Sequence, residues 1–127
     1  MTQPFDLNQI AINYQQKNNN KRPVLFVHGN SQNSSCGQDL LDYFYGLGHS
    51  VLSYDLPGHG ESSLTTEKFT FEDLVSLNYE IIRSKKLDNA ILAGHSLGGM
   101  IHAGTLTRHQ MKNNSLILCG SYDGNPI

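Results

Sequence analysis

A serine flanked by glycines is the feature of this 127-residue chain that points most directly to chemistry. Residues 93–99 read Ala-Gly-His-Ser-Leu-Gly-Gly, which places Gly94 and Gly98 two positions on either side of Ser96. At a sharp turn from a strand into a helix, a serine exposes its hydroxyl, and flanking glycines remove Cβ atoms that would clash. Such backbone strain costs about 1–3 kcal/mol and persists mainly at functional sites. We therefore interpret Ser96 as a candidate nucleophile.

Two further motifs contain polar residues directly after short apolar runs. His28-Gly29-Asn30 follows the run Val-Leu-Phe-Val at 24–27. The second motif, Asp-Leu-Pro-Gly-His-Gly-Glu-Ser, occupies residues 55–62 after an apolar run that begins at Val51. Glycine and proline at these positions are typical of tight turns that end a strand.

The elements that must position these motifs alternate between strands and helices. Apolar patterning predicts buried strands at 24–27, 51–55, 90–93 and 115–119, an antiparallel or edge strand at 9–14, a turn at 15–21, and helices at 39–47, 71–86 and 97–111. This alternation predicts the α/β class, with a mostly parallel sheet and helices on both faces. Ligand sites in such sheets lie at the carboxyl ends of the strands, which is where all three motifs fall.

Length, charge and cysteine content narrow the function classes. A chain of this length forms one domain, and its net charge of −2 offers no basic surface for nucleic acid or anionic membranes. No apolar run approaches the roughly 18 residues of a membrane span, and no secretory signal is visible. Cys36 and Cys119 lack metal-ligand spacing and are expected to be reduced packing residues. We therefore predict a cytoplasmic protein without a metal or cofactor.

These motifs together resemble the α/β-hydrolase fold superfamily over nearly the whole chain. Residues 24–30 are similar to its first parallel strand and oxyanion loop, residues 48–62 to the next strand and turn, and residues 93–99 to the nucleophile elbow. A serine at position 96 is typical of the esterase, lipase, peptidase and acyltransferase branches. An aspartate there would have indicated epoxide hydrolases or haloalkane dehalogenases.

The resemblance implies roles for residues around the serine. Ser96 Oγ would attack the acyl carbonyl of a small carboxylic ester, thioester or amide and form an acyl-enzyme. The backbone N–H groups of Leu97 and Asn30 would bind the oxyanion, with Ser31 as the alternative donor from the loop.

By the same resemblance, His28 and Gly29 would orient the oxyanion loop, and Asp55 would brace the turn that follows its strand. His95 neighbours the nucleophile, but adjacent residues of a strand point to opposite faces. Three other histidines are expected to be structural or remote from Ser96: His59, His102 and His109.

The triad of the family runs along the chain as serine, acid and then histidine. The one acidic residue after Ser96 is Asp123, and no histidine follows it. Asp123 is thus the candidate acid within the chain, and the histidine would come from sequence beyond residue 127. We expect residues 1–127 to form the N-terminal part of a single α/β-hydrolase domain that is inactive alone.

The sequence also predicts a contact surface and allows two alternatives to the serine hydrolase. The apolar strand at 115–119 would be left as a sheet edge, which favours pairing with another chain or with a missing C-terminal half. The same fold also supports carbon–carbon hydrolases, lyases and haloperoxidases. A non-catalytic binding module or a truncated product is the alternative outside catalysis.

Overall fold

The computed structural model describes residues 2–4, 11–29, 37–58, 62 and 69–119. Its elements, in chain order, are β1 (Thr2–Pro4), β2 (Ala11–Lys17), β3 (Lys21–Val27), α1 (Gln38–Gly46), β4 (His49–Tyr54), α2 (Phe71–Ser84), β5 (Ile91–His95), α3 (Leu97–Arg108) and β6 (Ser115–Cys119). Strands and helices alternate from β3 onward, as the apolar patterning predicted.

The strands form a six-stranded sheet in the order β1-β2-β4-β3-β5-β6. Strands β4, β3, β5 and β6 are parallel to their neighbours in this series, whereas β2 runs antiparallel to both β1 and β4. The predicted α/β class with a mostly parallel sheet is confirmed. The strand predicted at 9–14 as antiparallel or at an edge corresponds to β2, which is antiparallel to both of its neighbours.

One local prediction is wrong. Residues 15–21 were expected to form a turn, but β2 continues to Lys17 and β3 begins at Lys21. The reason is pairing with β4, in which Gln15 lies opposite Ser53 and Lys17 lies opposite Val51. Backbone hydrogen bonds to a neighbouring strand outweigh the weak strand propensity of glutamine and lysine.

Helices pack on both faces of the sheet, so the fold has two apolar layers. The larger layer lies between the sheet and helices α2 and α3, and its fully buried members include Leu25, Val27, Leu92 and Ile101. The smaller layer contains Phe26, Leu41 and Ala93 and is covered by α1. Consecutive residues of β3 alternate between the two layers, which explains why the run at 24–27 is apolar throughout.

Helix α2 begins with a capping box formed by Thr70 and Asp73. The Asp73 backbone N–H donates to Thr70 Oγ1 over 3.1 Å, and the Thr70 N–H donates to the Asp73 carboxylate over 2.9 Å. Within the described ranges, no helix combines the length and apolar character needed to cross a bilayer.

Candidate active site

Three parallel strands bring the polar motifs to one edge of the sheet. The strands β3, β4 and β5 lie side by side in the order β4-β3-β5. Their carboxyl ends lead directly into His28, Asp55 and Ser96, respectively. This is the edge at which α/β sheets bind ligands.

Ser96 has the strained backbone that its flanking glycines predicted. It joins β5 to α3 with φ 55° and ψ −113°, a region that residues with a side chain rarely adopt. Ser96 occupies the position before the first residue of α3, yet its hydroxyl makes no capping hydrogen bond to that helix. The hydroxyl therefore lies at the helix N-terminus without being used to cap it.

The two glycines are required because the backbone approaches itself closely on both sides of Ser96. A Cβ atom at Gly94 would overlap the backbone nitrogen of Gly99, in the first turn of α3. A Cβ atom at Gly98 would overlap the backbone oxygen of Val27, the last residue of β3. The first turn of α3 thus lies directly on the end of the strand that leads to His28.

The start of α3 provides backbone donors beside the serine. The first hydrogen bond of the helix joins Met100 N–H to the Ser96 carbonyl over 3.2 Å. The N–H groups of the residues before Met100, beginning with Leu97, have no carbonyl one turn earlier in the helix to accept them. Together with the positive end of the helix dipole, such groups favour an anion at this end of α3.

His28 joins the ends of two neighbouring strands. Its side chain is fully buried, and Nε2 accepts a hydrogen bond from the Leu56 backbone N–H over 2.9 Å. Because Nε2 is an acceptor, the neutral ring carries its proton on Nδ1, which lies 2.6 Å from the Gly29 carbonyl oxygen. The imidazole thus ties the turn after β3 to the turn after β4.

Asp55 belongs to a buried polar cluster that includes Asn13 and Ser62. The Asn13 side-chain amide donates to the Asp55 carboxylate over 2.9 Å, and the Ser62 hydroxyl donates to the Asp55 carbonyl over 2.6 Å. The Asn13 backbone N–H donates to the Ser62 hydroxyl over 2.9 Å. These bonds attach the turn after β4 to the antiparallel strand β2.

Two histidines, one within α3 and one directly after it, are carried away from Ser96 by the helix rise of about 1.5 Å per residue. His102 is fully buried, and its Nδ1 lies 3.1 Å from the Asn78 side-chain nitrogen. Burial lowers the pKa of His102 to about 4. The nearby backbone groups of Leu25 and Ala93 act in the opposite direction and raise the pKa, but by less than burial lowers it. Neither backbone group reaches hydrogen-bond geometry with Nε2, which is without a hydrogen-bond partner in the described part of the chain. His109 stacks on Tyr79 with ring centroids 3.6 Å apart.

Sequence reasoning missed Asn78, which accepts a hydrogen bond from Tyr54 and donates one to Thr105. The available signal was its position on α2. Asn78 interrupts the apolar face formed by Leu74, Val75, Ile81 and Ile82 at helical spacing. A polar residue at a core position of a helix needs buried partners.

A small cavity of about 100 Å³ adjoins the serine. Its walls are formed by Ser96, Gly99, Met100, Ala103, Leu118 and Cys119. Burial raises the pKa of the Cys119 thiol, so the wall is uncharged at neutral pH. A larger recess of about 310 Å³ lies beside α1, β2 and β4, and its described lining includes none of His28, Asp55 and Ser96.

Several predicted site residues fall outside the described residues. They are the loop donors Asn30 and Ser31 and the candidate acid Asp123. Two residues that were not expected in the site, Cys36 and His59, also lie outside the described residues. The structure describes the other predicted site residues and places them at the edge formed by His28, Asp55 and Ser96.

Comparison with known proteins identifies the family. The model of the family described as "Serine aminopeptidase, S33" matches residues 18–123, which is most of the chain. The chain belongs to this α/β-hydrolase family. The predicted resemblance is therefore confirmed.

Individual members differ in the reactions that their names describe. The chain is 32% identical over 101 residues to the (E)-2-((N-methylformamido)methylene)succinate hydrolase of Acinetobacter baylyi, covering 79% of the chain and 38% of that protein. It is 26% identical over 102 residues to a putative non-heme haloperoxidase of Mycobacterium phage D29, covering 80% of the chain and 37% of that protein.

A solved esterase from Exiguobacterium antarcticum superposes with a TM-score of 0.82 and 26% identity. The match covers 94% of this α/β-hydrolase chain and 47% of the esterase. The chain thus spans less than half the length of each of these relatives.

Proposed function

We propose that the chain provides the nucleophile and the oxyanion donors of a serine hydrolase that acts on a small carboxylic ester, thioester or amide. The observation that carries this proposal is the strained backbone of Ser96 at the start of α3. Ser96 Oγ attacks the acyl carbonyl, the carbonyl oxygen takes the negative charge, and the leaving group departs to give an acyl-enzyme. Water then hydrolyses that ester.

The oxyanion is bound by two backbone N–H groups from separate loops. Leu97 donates from the first turn of α3, and Asn30 donates from the loop that follows Gly29. The close contact between Gly98 and Val27 supports this arrangement, because it places the first turn of α3 against the end of the strand that leads into His28 and Gly29. One such donor contributes about 2.7–4 kcal/mol to transition-state stabilisation.

The general base of this reaction comes from polypeptide outside residues 1–127. His28 and His102 are fully buried, and His28 accepts a backbone hydrogen bond through Nε2. These contacts support an orienting role for His28 in the oxyanion loop, with Asp55 bracing the neighbouring turn. Asp123 remains the candidate acid within the chain, and residues 1–127 then form the N-terminal part of one catalytic domain.

A haloperoxidase on the same fold is the second candidate reaction. It is favoured by the similarity to the phage protein named as a putative non-heme haloperoxidase. Three further alternatives are compatible with the same sheet: a carbon–carbon hydrolase, a lyase and a non-catalytic module. The substrate is a small molecule in every catalytic alternative, and we place the protein in the cytoplasm.

Labelling with a fluorophosphonate tests the nucleophile. The probe forms a covalent bond to a serine hydroxyl only when a neighbouring base and oxyanion donors activate it. We expect the protein at its full natural length to be labelled once per chain and Ser96→Ala to abolish labelling. Mass spectrometry of tryptic peptides locates the adduct.

Ser76→Ala is the matched control, because Ser76 is an exposed serine on α2. This variant should label like the unmodified protein. Failure of the unmodified protein to label would contradict the serine hydrolase and favour the non-catalytic module. Labelled protein that halogenates a phenol but leaves p-nitrophenyl esters intact would favour the haloperoxidase.

A further inference from the structure

Four buried polar side chains form a cluster beneath the sheet, separate from the residues discussed as catalytic. The cluster consists of Tyr54 on β4, Asn78 on α2, and His102 and Thr105 on α3, and all four side chains are fully buried. We call it the Asn78 cluster. Its members come from three different elements, and Asn78 contacts each of the other three.

The hydrogen bonds of the cluster determine the orientation of the Asn78 amide. The Thr105 hydroxyl donates its one hydrogen to the Ile101 carbonyl over 2.7 Å, so it accepts from Asn78 over 3.0 Å. The Asn78 nitrogen therefore faces α3, and its oxygen accepts from the Tyr54 hydroxyl over 2.9 Å. Burial raises the pKa of Tyr54, which keeps that hydroxyl a donor.

The same assignment determines the tautomer of His102. Asn78 donates its second amide hydrogen to His102 Nδ1 over 3.1 Å, so the neutral ring carries its own proton on Nε2. The other side of the ring lies near the backbone of Leu25 in β3 and Ala93 in β5. His102 is thus held between α2 and the two strands that lead to His28 and Ser96.

Several contacts of helix α3 with its neighbours are formed by glycines. Gly98, Gly99 and Gly104 are buried along the helix and allow close approach to β3, β6 and α2. A glycine contributes no side chain to these contacts, whereas the hydrogen bonds made by His102 and Thr105 have a preferred direction and so restrict the rotation of the helix. His102 lies six residues after Ser96, which corresponds to about 9 Å along the helix.

We propose that Asn78 is a positioning residue, which holds α3 in one rotation through His102 and Thr105 and so directs Ser96 Oγ and the Leu97 N–H. This inference rests on the proposed function for the identity of the reacting groups. The cluster itself contacts no substrate. Its effect on reaction rate is transmitted through the orientation of α3.

Replacing Asn78 with leucine tests the proposal in the protein at its full natural length. Asn78→Leu keeps the branched shape and the number of side-chain heavy atoms but removes all three side-chain hydrogen bonds. We expect the rate of fluorophosphonate labelling to fall by about tenfold or more, because small displacements of a nucleophile reduce rates strongly. For an ester substrate, kcat should fall while KM stays within about twofold.

A second readout reports the oxyanion donor without requiring any reaction. With leucine amides labelled by ¹⁵N, we expect Asn78→Leu to shift the Leu97 amide resonance. Tyr54→Phe removes one hydroxyl and should shift the same resonance in the same direction by a smaller amount, which keeps the test available if Asn78→Leu does not fold.

Ile82→Val is the control for stability, because Ile82 is a fully buried residue of α2 outside the cluster. It should reduce stability without slowing labelling or moving the Leu97 resonance. The proposal is overturned if Asn78→Leu reacts like the unmodified protein, or if the Leu97 resonance stays in place in both cluster variants. An unmodified protein that fails to label contradicts the proposed function, while the amide resonance still decides the role of Asn78.

Discussion

The strained backbone of Ser96 is the main indication that this residue has a chemical role. Its φ of 55° carries a cost of about 1–3 kcal/mol that the surrounding structure must offset. The offset comes from close packing, since Gly98 lies against the end of β3 and Gly94 lies against the first turn of α3. The strain and the close contacts are therefore two parts of one local arrangement.

Gly98→Ala tests this arrangement. The added Cβ atom would overlap the Val27 backbone oxygen, so the first turn of α3 must move away from β3. We expect a loss of about 1–3 kcal/mol in the free energy of unfolding and at least tenfold slower labelling of Ser96. Urea titration and labelling kinetics measure the two effects.

Gly46→Ala is the matched control, because a Cβ atom there meets nothing within 4 Å. Gly46 ends helix α1, where alanine is the better helix former. Gly98→Ala protein with unchanged stability and labelling would show that α3 does not depend on this contact.

The buried His102 makes stability depend on pH. Its pKa is lowered from 6.5 to about 4 by burial, so the unfolded chain binds a proton more readily than the folded chain between those values. The stabilising contribution of the neutral ring is complete above about pH 6.5 and is lost as the pH falls toward 4. The pKa difference corresponds to about 3 kcal/mol.

Urea unfolding at pH 7 and pH 4.5 measures this loss. His102→Gln removes the titrating group and should show a smaller decrease in stability between the two pH values. His109→Gln, which changes an exposed histidine, should behave like the unmodified protein. Equal decreases in the unmodified protein and in His102→Gln would contradict the assignment to His102.

At the scale of elements, β6 differs from the other parallel strands. It pairs with β5 and lies at the end of the described sheet. Its residues Leu116 and Leu118 are exposed, and Met100 of α3, which lines the same small cavity as Leu118, is exposed as well. An apolar strand at an edge favours pairing with another chain. We therefore propose that β6 is a contact surface of the 127-residue chain.

Leu118→Lys tests whether β6 is a contact surface. Leu118 is 61% exposed, and a lysine in its place adds a charge that opposes apolar association. We expect the 127-residue chain to self-associate and Leu118→Lys to reduce its sedimentation coefficient toward the monomer value. Tyr43→Lys is the control, because Tyr43 is 66% exposed on α1, away from β6. A monomeric unmodified chain would argue against association through β6.

At the scale of the whole molecule, the sheet brings together groups that come from distant parts of the chain. His28, Asp55 and Ser96 lie at the carboxyl ends of three strands, β3, β4 and β5, which are neighbours in the sheet. The chain spans less than half the length of the relatives reported above. The proposed reaction therefore combines a nucleophile held by this sheet with a base from outside residues 1–127.

The sequence by itself was sufficient to predict the structural features that depend on local patterns. The spacing of Gly94, Ser96 and Gly98 predicted the strained turn, and apolar periodicity predicted the four parallel strands and three helices to within a few residues. These features could be predicted because backbone preference and the burial of one face are encoded by residues close together in the chain.

Which distant residues form hydrogen bonds with one another depends on the tertiary structure alone. Asn78 lies 24 residues from both Tyr54 and His102, and Asn13 lies 42 residues from Asp55. Likewise, pairing with β4 made residues 15–17 a strand although their sequence favoured a turn. Hydrogen bonds between distant residues depend on how whole elements pack, and the pattern of one segment carries no record of that packing.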